Sequence, residues 1–205
     1  MTCDTKNITD VDSVDSIELG KVFRLGGVII YPTDTAYAIG CDATNEAAAR
    51  KIFAIKGRAE TKTLSLIAAD VAMAEQWLEF SEKARALAQT YWPGPLGLIL
   101  PLKKKGLVAQ AVQDGCAGLR VPDNSIARAL SVAAGVPIIA TSANTSGNGP
   151  CYTLDNVRAS LGDAFKKVDY AIDAGPLADE GVSTMVRVFG ETIEIVRQGV
   201  VQLDA

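Results

Sequence analysis

The sequence predicts an α/β domain in which helices flank a mixed β-sheet. Short runs of apolar and β-branched residues alternate with longer segments of helical periodicity along the chain. The 205 residues suit one large domain, and the hydrophobic fraction of 48% is ordinary for a protein with a packed core. No internal repeat or long linker interrupts the pattern. We therefore expect a polar tail at residues 1–15 and a single domain at residues 16–205.

Six segments are predicted to be helices because each begins at a capping residue or ends at a glycine or proline signal. Gly26 and Gly27 would end the first helix, Asn45 would cap the second, and Asp123 or Asn124 would cap the fifth. The predicted helices cover residues 16–25, 45–55, 70–78, 81–91, 125–134 and 153–161.

Eight short apolar runs are predicted to be strands. Pro32 and Pro122 end two of them, and the Trp-Pro-Gly-Pro sequence at residues 92–95 forms a rigid break before a third. The predicted strands cover residues 28–31, 64–68, 98–102, 118–121, 136–140, 170–173, 183–188 and 192–197.

The composition restricts the chemistry. A net charge of -4 argues against a general RNA-binding protein, because such proteins usually carry a basic surface. The chain has no histidine, which excludes Ser-His-Asp and Cys-His catalysis and imidazole metal ligation. Catalysis therefore has to use Lys, Arg, carboxylates, hydroxyls, backbone amides or a metal held by oxygen ligands. These groups suit reactions of phosphates and carboxylates, which need positioning and charge stabilisation.

The cysteine spacing and the hydropathy predict an intracellular protein. The four cysteines are far apart and form no C-x-x-C pair, so we expect buried thiols rather than a zinc site or disulfides. The first 16 residues lack the pattern of a signal peptide, and no apolar run approaches the roughly 20 residues that cross a bilayer. These observations predict a cytoplasmic location without a membrane contact.

Two polar stretches follow the first predicted strand and the second predicted helix. The hydroxyls and carboxylate of residues 31–37 would suit a small zwitterion such as an amino acid, although an ordinary hydrogen-bonded turn explains that stretch alone better. Lys56 and Arg58 flank Gly57, where the backbone can approach an anionic ligand. The alternative is a favourable charge at a helix C-terminus, a common feature.

Other polar groups lie further along the chain. Residues 140–147 carry four hydroxyls, an amide and a glycine after a strand, which favours phosphate or ribose binding as much as a plain polar loop. This stretch is neither a Walker P-loop nor a Rossmann fingerprint. Ser183 and Arg197 lie at the ends of late strands. Arg120 lies in apolar sequence, so it needs an anionic ligand or a protein carboxylate as a partner.

Taken together, these stretches resemble the YrdC/Sua5 (TsaC) family of threonylcarbamoyl-AMP synthases in its short, single-domain form. The matching pieces occur in the family's order and cover nearly the whole chain from Leu25 to Gly199. They are Tyr-Pro-Thr-Asp-Thr at 31–35, Lys-Gly-Arg at 56–58, Trp-Pro-Gly-Pro-Leu at 92–96, Leu-Arg-Val-Pro at 119–122, Thr-Ser-Ala-Asn-Thr-Ser-Gly at 141–147, Ser-Thr at 183–184 and Arg-Gln-Gly at 197–199.

The resemblance implies a YrdC/RibB-like twisted mixed sheet with flanking helices around a concave cavity. It also implies an L-threonylcarbamoyladenylate synthase, which converts L-threonine, bicarbonate or CO₂, and ATP into threonylcarbamoyl-AMP and pyrophosphate. The product would pass to a tRNA threonylcarbamoyl transferase complex for t6A37 synthesis, with at most a weak direct tRNA contact. Mg²⁺ would be carried with ATP, and no metal ligand of the protein is implied.

The family's functional residues match positions of this sequence. Lys56 and Arg58 are the expected catalytic pair. The residues expected to bind the nucleotide are Lys56, Ser142, Asn144 and Arg197, and those expected to bind threonine are Thr33, Arg58, Arg120 and Ser183.

The chain departs from the family pattern at a few positions, and two other functions compete. Ala36 and Ala38 replace Val and Gly of many members, Ala59 replaces a common Pro, and Arg187 replaces an acidic or neutral residue. A module that binds double-stranded RNA or tRNA without catalysis is the main alternative, and the acidic balance weighs against it. A carbamoyl-transfer domain of hydrogenase maturation factors is less well supported, because those domains occur in much longer chains.

Overall fold

The computed structural model describes residues 3–7, 15–59 and 61–203 as a mixed α/β fold. Its helices are α1 (Ser16–Arg24), α2 (Glu46–Lys56), α3 (Val71–Trp77), α4 (Glu82–Tyr91), α5 (Ser125–Ala134) and α6 (Leu154–Leu161). Its strands are β1 (Asp4–Asn7), β2 (Ile29–Pro32), β3 (Tyr37–Gly40), β4 (Leu66–Ile67), β5 (Leu96–Pro101), β6 (Cys116–Arg120), β7 (Ile138–Ile139), β8 (Thr141–Ser142), β9 (Tyr170–Asp173), β10 (Thr184–Phe189) and β11 (Thr192–Arg197). The predicted fold class is confirmed.

The described strands form two mixed sheets, whereas the sequence predicted one. The first sheet has the order β1-β9-β2-β3-β8, and the second has the order β11-β10-β5-β6-β4-β7. The chain passes from one sheet to the other within a few residues, because β7 pairs with β4 and β8 pairs with β3. Only Ala140 separates these two strands. The loop at residues 142–148, called the Ser142 loop below, therefore begins where the two sheets meet.

Side-chain caps fix the starts of the helices near the predicted positions. Asn45 Oδ1 accepts a hydrogen bond from Ala48 N at 3.0 Å, and Asn124, one of the two predicted candidates, caps α5 through Ala127 N at 3.0 Å. At the other end of α2, Gly57 adopts a left-handed conformation with φ of 58°. Such a residue ends a helix and turns the chain sharply, which sets the direction of Arg58.

One face of the second sheet carries large apolar side chains, and the other face is sparsely covered because glycines leave gaps between its side chains. Because side chains alternate along a strand, Leu96, Leu98 and Leu100 of β5 point into the main core together with Leu119 of β6. The opposite face carries Gly97 and Ile99 of β5, and Gly118 and Arg120 of β6. This face leaves open space beside the first sheet, and that space holds the candidate site.

Three of the described strands were not predicted from the sequence. One is β8, because Thr141 and Ser142 lie in the polar stretch after the strand predicted at residues 136–140. β3 begins at Tyr37, where the first polar stretch ends, and pairs with β2 as an antiparallel hairpin, because the Thr33–Ala36 turn reverses the chain. β1 lies within the predicted tail and pairs in parallel with β9. Residues 1–2 and 8–14 of that tail lie outside the described residues. Among the helices that the structure describes, none combines the length and apolar character needed to cross a bilayer.

Candidate active site

A concave cavity of about 270 Å³ lies between the two sheets. The first sheet contributes the β2–β3 hairpin and the start of the Ser142 loop, and the second contributes its sparsely covered face. Among the described residues that line the cavity there is no carboxylate, whereas there are three guanidinium groups. Six of the eight predicted site residues line it, namely Thr33, Arg58, Arg120, Ser142, Ser183 and Arg197. These positions are up to 164 residues apart in the sequence, from Thr33 to Arg197.

Arg58 enters the cavity from the end of α2. The left-handed Gly57 lets the Arg58 amide bond to Phe53 O at 3.1 Å, which fixes the backbone, and Arg58 Nη2 donates to Thr63 O at 3.1 Å. Arg58 Nε is buried without a hydrogen-bond partner in the described part of the chain. Burial also lowers the pKa of this guanidinium. A buried donor of this kind is costly unless a ligand satisfies it.

Lys56 does not line the cavity, so the structure gives it a different position from the one expected. Its Nζ donates to the backbone carbonyls of Ser142 and, at 2.8 Å, of Asn144, and the side chain is only 1% exposed. Ser146 N donates back to Lys56 O at 2.8 Å. Lys56 thus ties the end of α2 to the Ser142 loop, and its ammonium has backbone acceptors rather than open space in front of it.

Asn144 also lies behind the cavity wall. Its amide Nδ2 donates to Thr145 O and Asn148 O, both at 2.8 Å, and its side chain is buried. These bonds hold the loop in a compact turn. Its Oδ1 is buried without a hydrogen-bond partner among the described residues. Of the two expected loop residues, Ser142 alone faces the cavity.

Arg120 has a protein carboxylate as its partner, which is one of the two alternatives left open by the sequence. Its Nη1 lies 2.5 Å from Asp34 Oδ1, and both side chains are about 10% exposed (10% and 9%). Its Nη2 donates to Thr35 Oγ1 at 3.2 Å. Asp34 also accepts a bond from Asp123 N at 3.1 Å. The guanidinium is therefore held in one orientation while it still lines the cavity.

The Thr33 hydroxyl shapes the hairpin turn. Its Oγ1 donates to Ala36 O at 2.7 Å and accepts bonds from the amides of Thr35 and Ala36, both at 3.2 Å. This arrangement is the hydrogen-bonded turn that the sequence left open as an alternative. The turn places Thr33, Thr35 and Ala36 along one wall of the cavity.

Arg197 and Ser183 form one unit at the cavity rim. Arg197 Nη2 donates to both the carbonyl and the hydroxyl of Ser183 at 2.8 Å, and Nε donates to the same carbonyl at 3.0 Å. Arg197 as a whole is exposed, and its side chain lines the cavity. Partial desolvation of its guanidinium, together with the positive charge of Arg120, lowers the pKa of Arg197. Two cations facing one space favour an anionic ligand between them.

Several residues that line or support the cavity were not predicted from the sequence. Thr35 lines it and Asp34 lies behind it; both belong to the Tyr-Pro-Thr-Asp-Thr motif, but only the folded chain shows that they hold Arg120. Gly97 and Met185 line the cavity from neighbouring strands, and neither residue type signals a site. Of the departures from the family pattern, Ala36 and Ala38 line the cavity, and Arg187 pairs with Glu194 at 2.8 Å on the β10–β11 hairpin.

The buried ammonium of Lys56 should make stability depend on pH. Burial, together with the nearby charge of Arg58, lowers the pKa of Lys56 from 10.5 to about 8 in the folded protein. Between these values the unfolded chain binds more protons at this residue, so its contribution to the free energy of unfolding increases with pH. We expect the wild-type chain to gain stability relative to a Lys56→Met variant as the pH increases through this window. Urea unfolding at each pH measures the difference, and a constant difference would contradict this assignment.

Comparisons with known proteins agree with this geometry. The Sua5/YciO/YrdC family model, described as "Telomere recombination", matches residues 21–199. A relative from Methanocaldococcus jannaschii is 36% identical over 185 residues, which cover 90% of this chain and 86% of the relative. A protein of Idiomarina loihiensis named threonylcarbamoyl-AMP synthase is 37% identical over 150 residues, which cover 72% of this chain and 79% of that protein.

A solved structure shares the architecture. The crystal structure of P. abyssi Sua5 complexed with L-threonine superposes with a TM-score of 0.82 at 27% identity, covering 97% of this chain. This chain spans 57% of the length of that Sua5 chain. Because the family model matches most of the sequence and the fold agrees, the chain belongs to the Sua5/YciO/YrdC family.

Proposed function

We propose that this chain is an L-threonylcarbamoyladenylate synthase. It joins L-threonine, bicarbonate or CO₂, and ATP into threonylcarbamoyl-AMP and pyrophosphate. The observation that supports this most is the convergence of Arg58, Arg120 and Arg197 on one cavity whose described lining residues include no carboxylate. Such a cavity suits a ligand set with several negative charges, namely a triphosphate and an amino-acid carboxylate.

The cavity divides between the two substrates. Arg120, held by Asp34, is the fork for the α-carboxylate of threonine, and Ser183 and Thr33 lie on the same walls. Arg58 and Ser142 approach the phosphates of ATP from the other side, and Arg197 adds a further cation at the rim. Mg²⁺ enters as part of the Mg·ATP substrate, keeping several of its own waters. Within the described residues, no group of three or more His, Cys, Asp or Glu side chains could hold a metal ion.

The reaction needs orientation more than proton transfer by the protein. The neutral threonine amine combines with CO₂ and loses a proton, giving a carbamate. A carbamate oxygen then attacks the α-phosphorus of ATP, the bond to the β-phosphate oxygen breaks, and pyrophosphate leaves. Arg58 balances the negative charge that develops on the phosphates, and Lys56 supports it by fixing the Ser142 loop.

The product serves tRNA modification in the cytoplasm. The mixed anhydride of a carbamate and AMP is an activated acyl donor, so a transferase complex has to accept it for synthesis of t6A37. Direct contact of this chain with tRNA is weak under this proposal, because the net charge is -4.

One incubation tests the proposal. The protein is mixed with Mg·ATP, bicarbonate and L-threonine, and mass spectrometry and a pyrophosphate assay follow the products. We expect a threonylcarbamoyl adenylate and equimolar pyrophosphate, with both lost when any one substrate is omitted. Salt-sensitive binding of double-stranded RNA or tRNA without any adenylate would instead favour the alternative predicted from the sequence.

A further inference from the structure

The floor of the cavity is built from residues of the second sheet that share one face. Met185 of β10 pairs with Gly97 of β5, and Ile99 of β5 pairs with Gly118 of β6. Residues paired in this way point to the same side of a sheet, as do residues two apart on one strand. Met185, Gly97, Gly118 and Arg120 therefore face the cavity side together, and Met185, Gly97 and Arg120 line the cavity.

The thioether of Met185 lies directly on two strands that have no side chain beneath it. A Cβ at Gly97 would lie 2.2 Å from Met185 Sδ and 2.9 Å from its Cε. A Cβ at Gly118 would lie 3.0 Å from the same Cε. Any side chain at Gly97 would therefore displace Met185, because real contacts of this kind are longer. Because neither glycine has a side chain, the Met185 side chain can lie close to the backbone of β5 and β6.

This apolar surface lies beside the groups that bind the amino acid in the proposed function. Arg120 follows Gly118 by two residues on β6, and Ser183 precedes Met185 by two residues at the start of β10. An amino acid whose α-carboxylate rests on Arg120 would place its side chain over the same floor. Methionine is flexible and polarizable, so its thioether fits closely against a small methyl-bearing group.

We propose that Met185, seated on Gly97 and Gly118, sets the size of the amino-acid side chain that the cavity accepts. The inference rests on the proposed function. In this arrangement, the thioether leaves room for a side chain of the size of threonine and excludes a longer aliphatic one. Met185 is a specificity-determining residue, and the glycines determine how far it projects into the cavity.

Direct binding of amino acids separates this inference from the proposed function. Calorimetry measures the affinity of each variant for L-serine, L-threonine, L-valine and L-leucine. The Met185→Ala variant should lose discrimination of threonine against leucine by about 10-fold or more, the usual effect of one or two methylene groups in an apolar pocket. The Met73→Ala variant removes a methionine from α3, outside the cavity lining, and should leave the discrimination unchanged.

A second pair of variants tests whether Gly97 determines the position of the Met185 side chain. Gly97→Ala should push Met185 into the cavity and weaken threonine binding, and adding Met185→Val, which removes Sδ and Cε, should restore it. Unchanged discrimination in Met185→Ala, with threonine still bound by the wild type, would overturn the inference alone. Failure of Met185→Val to rescue a folded Gly97→Ala protein would also overturn it. A wild type that binds no amino acid and makes no adenylate would instead overturn the proposed function.

Discussion

Replacing Arg58 with alanine is expected to reduce pyrophosphate release by about 10²- to 10³-fold, the usual cost of removing one preorganised donor to developing charge. Arg58 projects into the cavity after the left-handed Gly57, and its buried Nε lacks a protein partner among the described residues. Its role is therefore toward the ligand. The free energy of unfolding should change little, because within the described chain the Arg58 side chain donates a single hydrogen bond, to the backbone carbonyl of Thr63.

Arg50 provides the matched control for Arg58. It lies on α2, the helix that ends two residues before Arg58, and its exposed guanidinium pairs with Glu46 at 3.3 Å. Arg50→Ala should keep full ATP- and bicarbonate-dependent turnover, since an exposed ion pair contributes little. Steady-state kinetics of both variants measure the contrast. Equal activity of Arg58→Ala and the wild type would remove Arg58 from the catalytic role.

Replacing Lys56 with methionine is expected to have a different signature. The change leaves the carbonyls of Ser142 and Asn144 without their buried donor, which should cost on the order of 3 kcal/mol of stability. Turnover should also fall, because the loop that presents Ser142 loses its anchor. Denaturant unfolding and steady-state kinetics on the same preparations measure the two effects.

Lys21 is the control for Lys56. It is an exposed lysine in the last turn of α1, and Lys21→Met should change neither stability nor turnover appreciably. A Lys56→Met variant with wild-type stability and strongly reduced turnover would contradict the loop-anchoring role. That outcome would favour the direct phosphate contact that the sequence predicted for Lys56.

The Arg58→Ala and Lys56→Met results together distinguish a residue that binds the ligand from a residue that supports the Ser142 loop. Both cations come from one Lys-Gly-Arg motif, yet the chain reverses direction at Gly57 between them. Lys56 consequently points back into the core, and Arg58 points into the cavity. The Lys-Gly-Arg motif was expected to supply two phosphate ligands. Because the left-handed Gly57 lies between the two cations, only Arg58 reaches the cavity.

Local sequence patterns predicted most helices and strands but not how they assemble. Caps such as Asn45 and Asn124 fixed the helix starts, because capping depends on neighbouring residues. β3 was missed because it is only four residues long and directly follows a polar motif, and its strand character depends on pairing with β2 and β8. The division into two sheets likewise depends on pairings between distant residues.

The sequence predicted which residues form the candidate site better than it predicted what each residue does there. Polar residues at the ends of predicted elements indicated Arg58, Ser142 and Ser183, and a cation in apolar sequence indicated Arg120. The fold brings all four to one cavity. The partner of Arg120 was not predictable, because Asp34 lies 86 residues away in the sequence. The apolar floor gave no signal, since glycine and methionine are ordinary strand residues until their pairing is known.

The binding of both substrates in one cavity can be tested by a structure of the protein with L-threonine and a non-hydrolysable ATP analogue. We expect both ligands to occupy the cavity between the sheets, with the threonine carboxylate on Arg120 and the phosphates between Arg58 and Ser142. Ligands bound elsewhere on the surface, with the Arg58 side chain directed away from Ser142, would contradict this expectation.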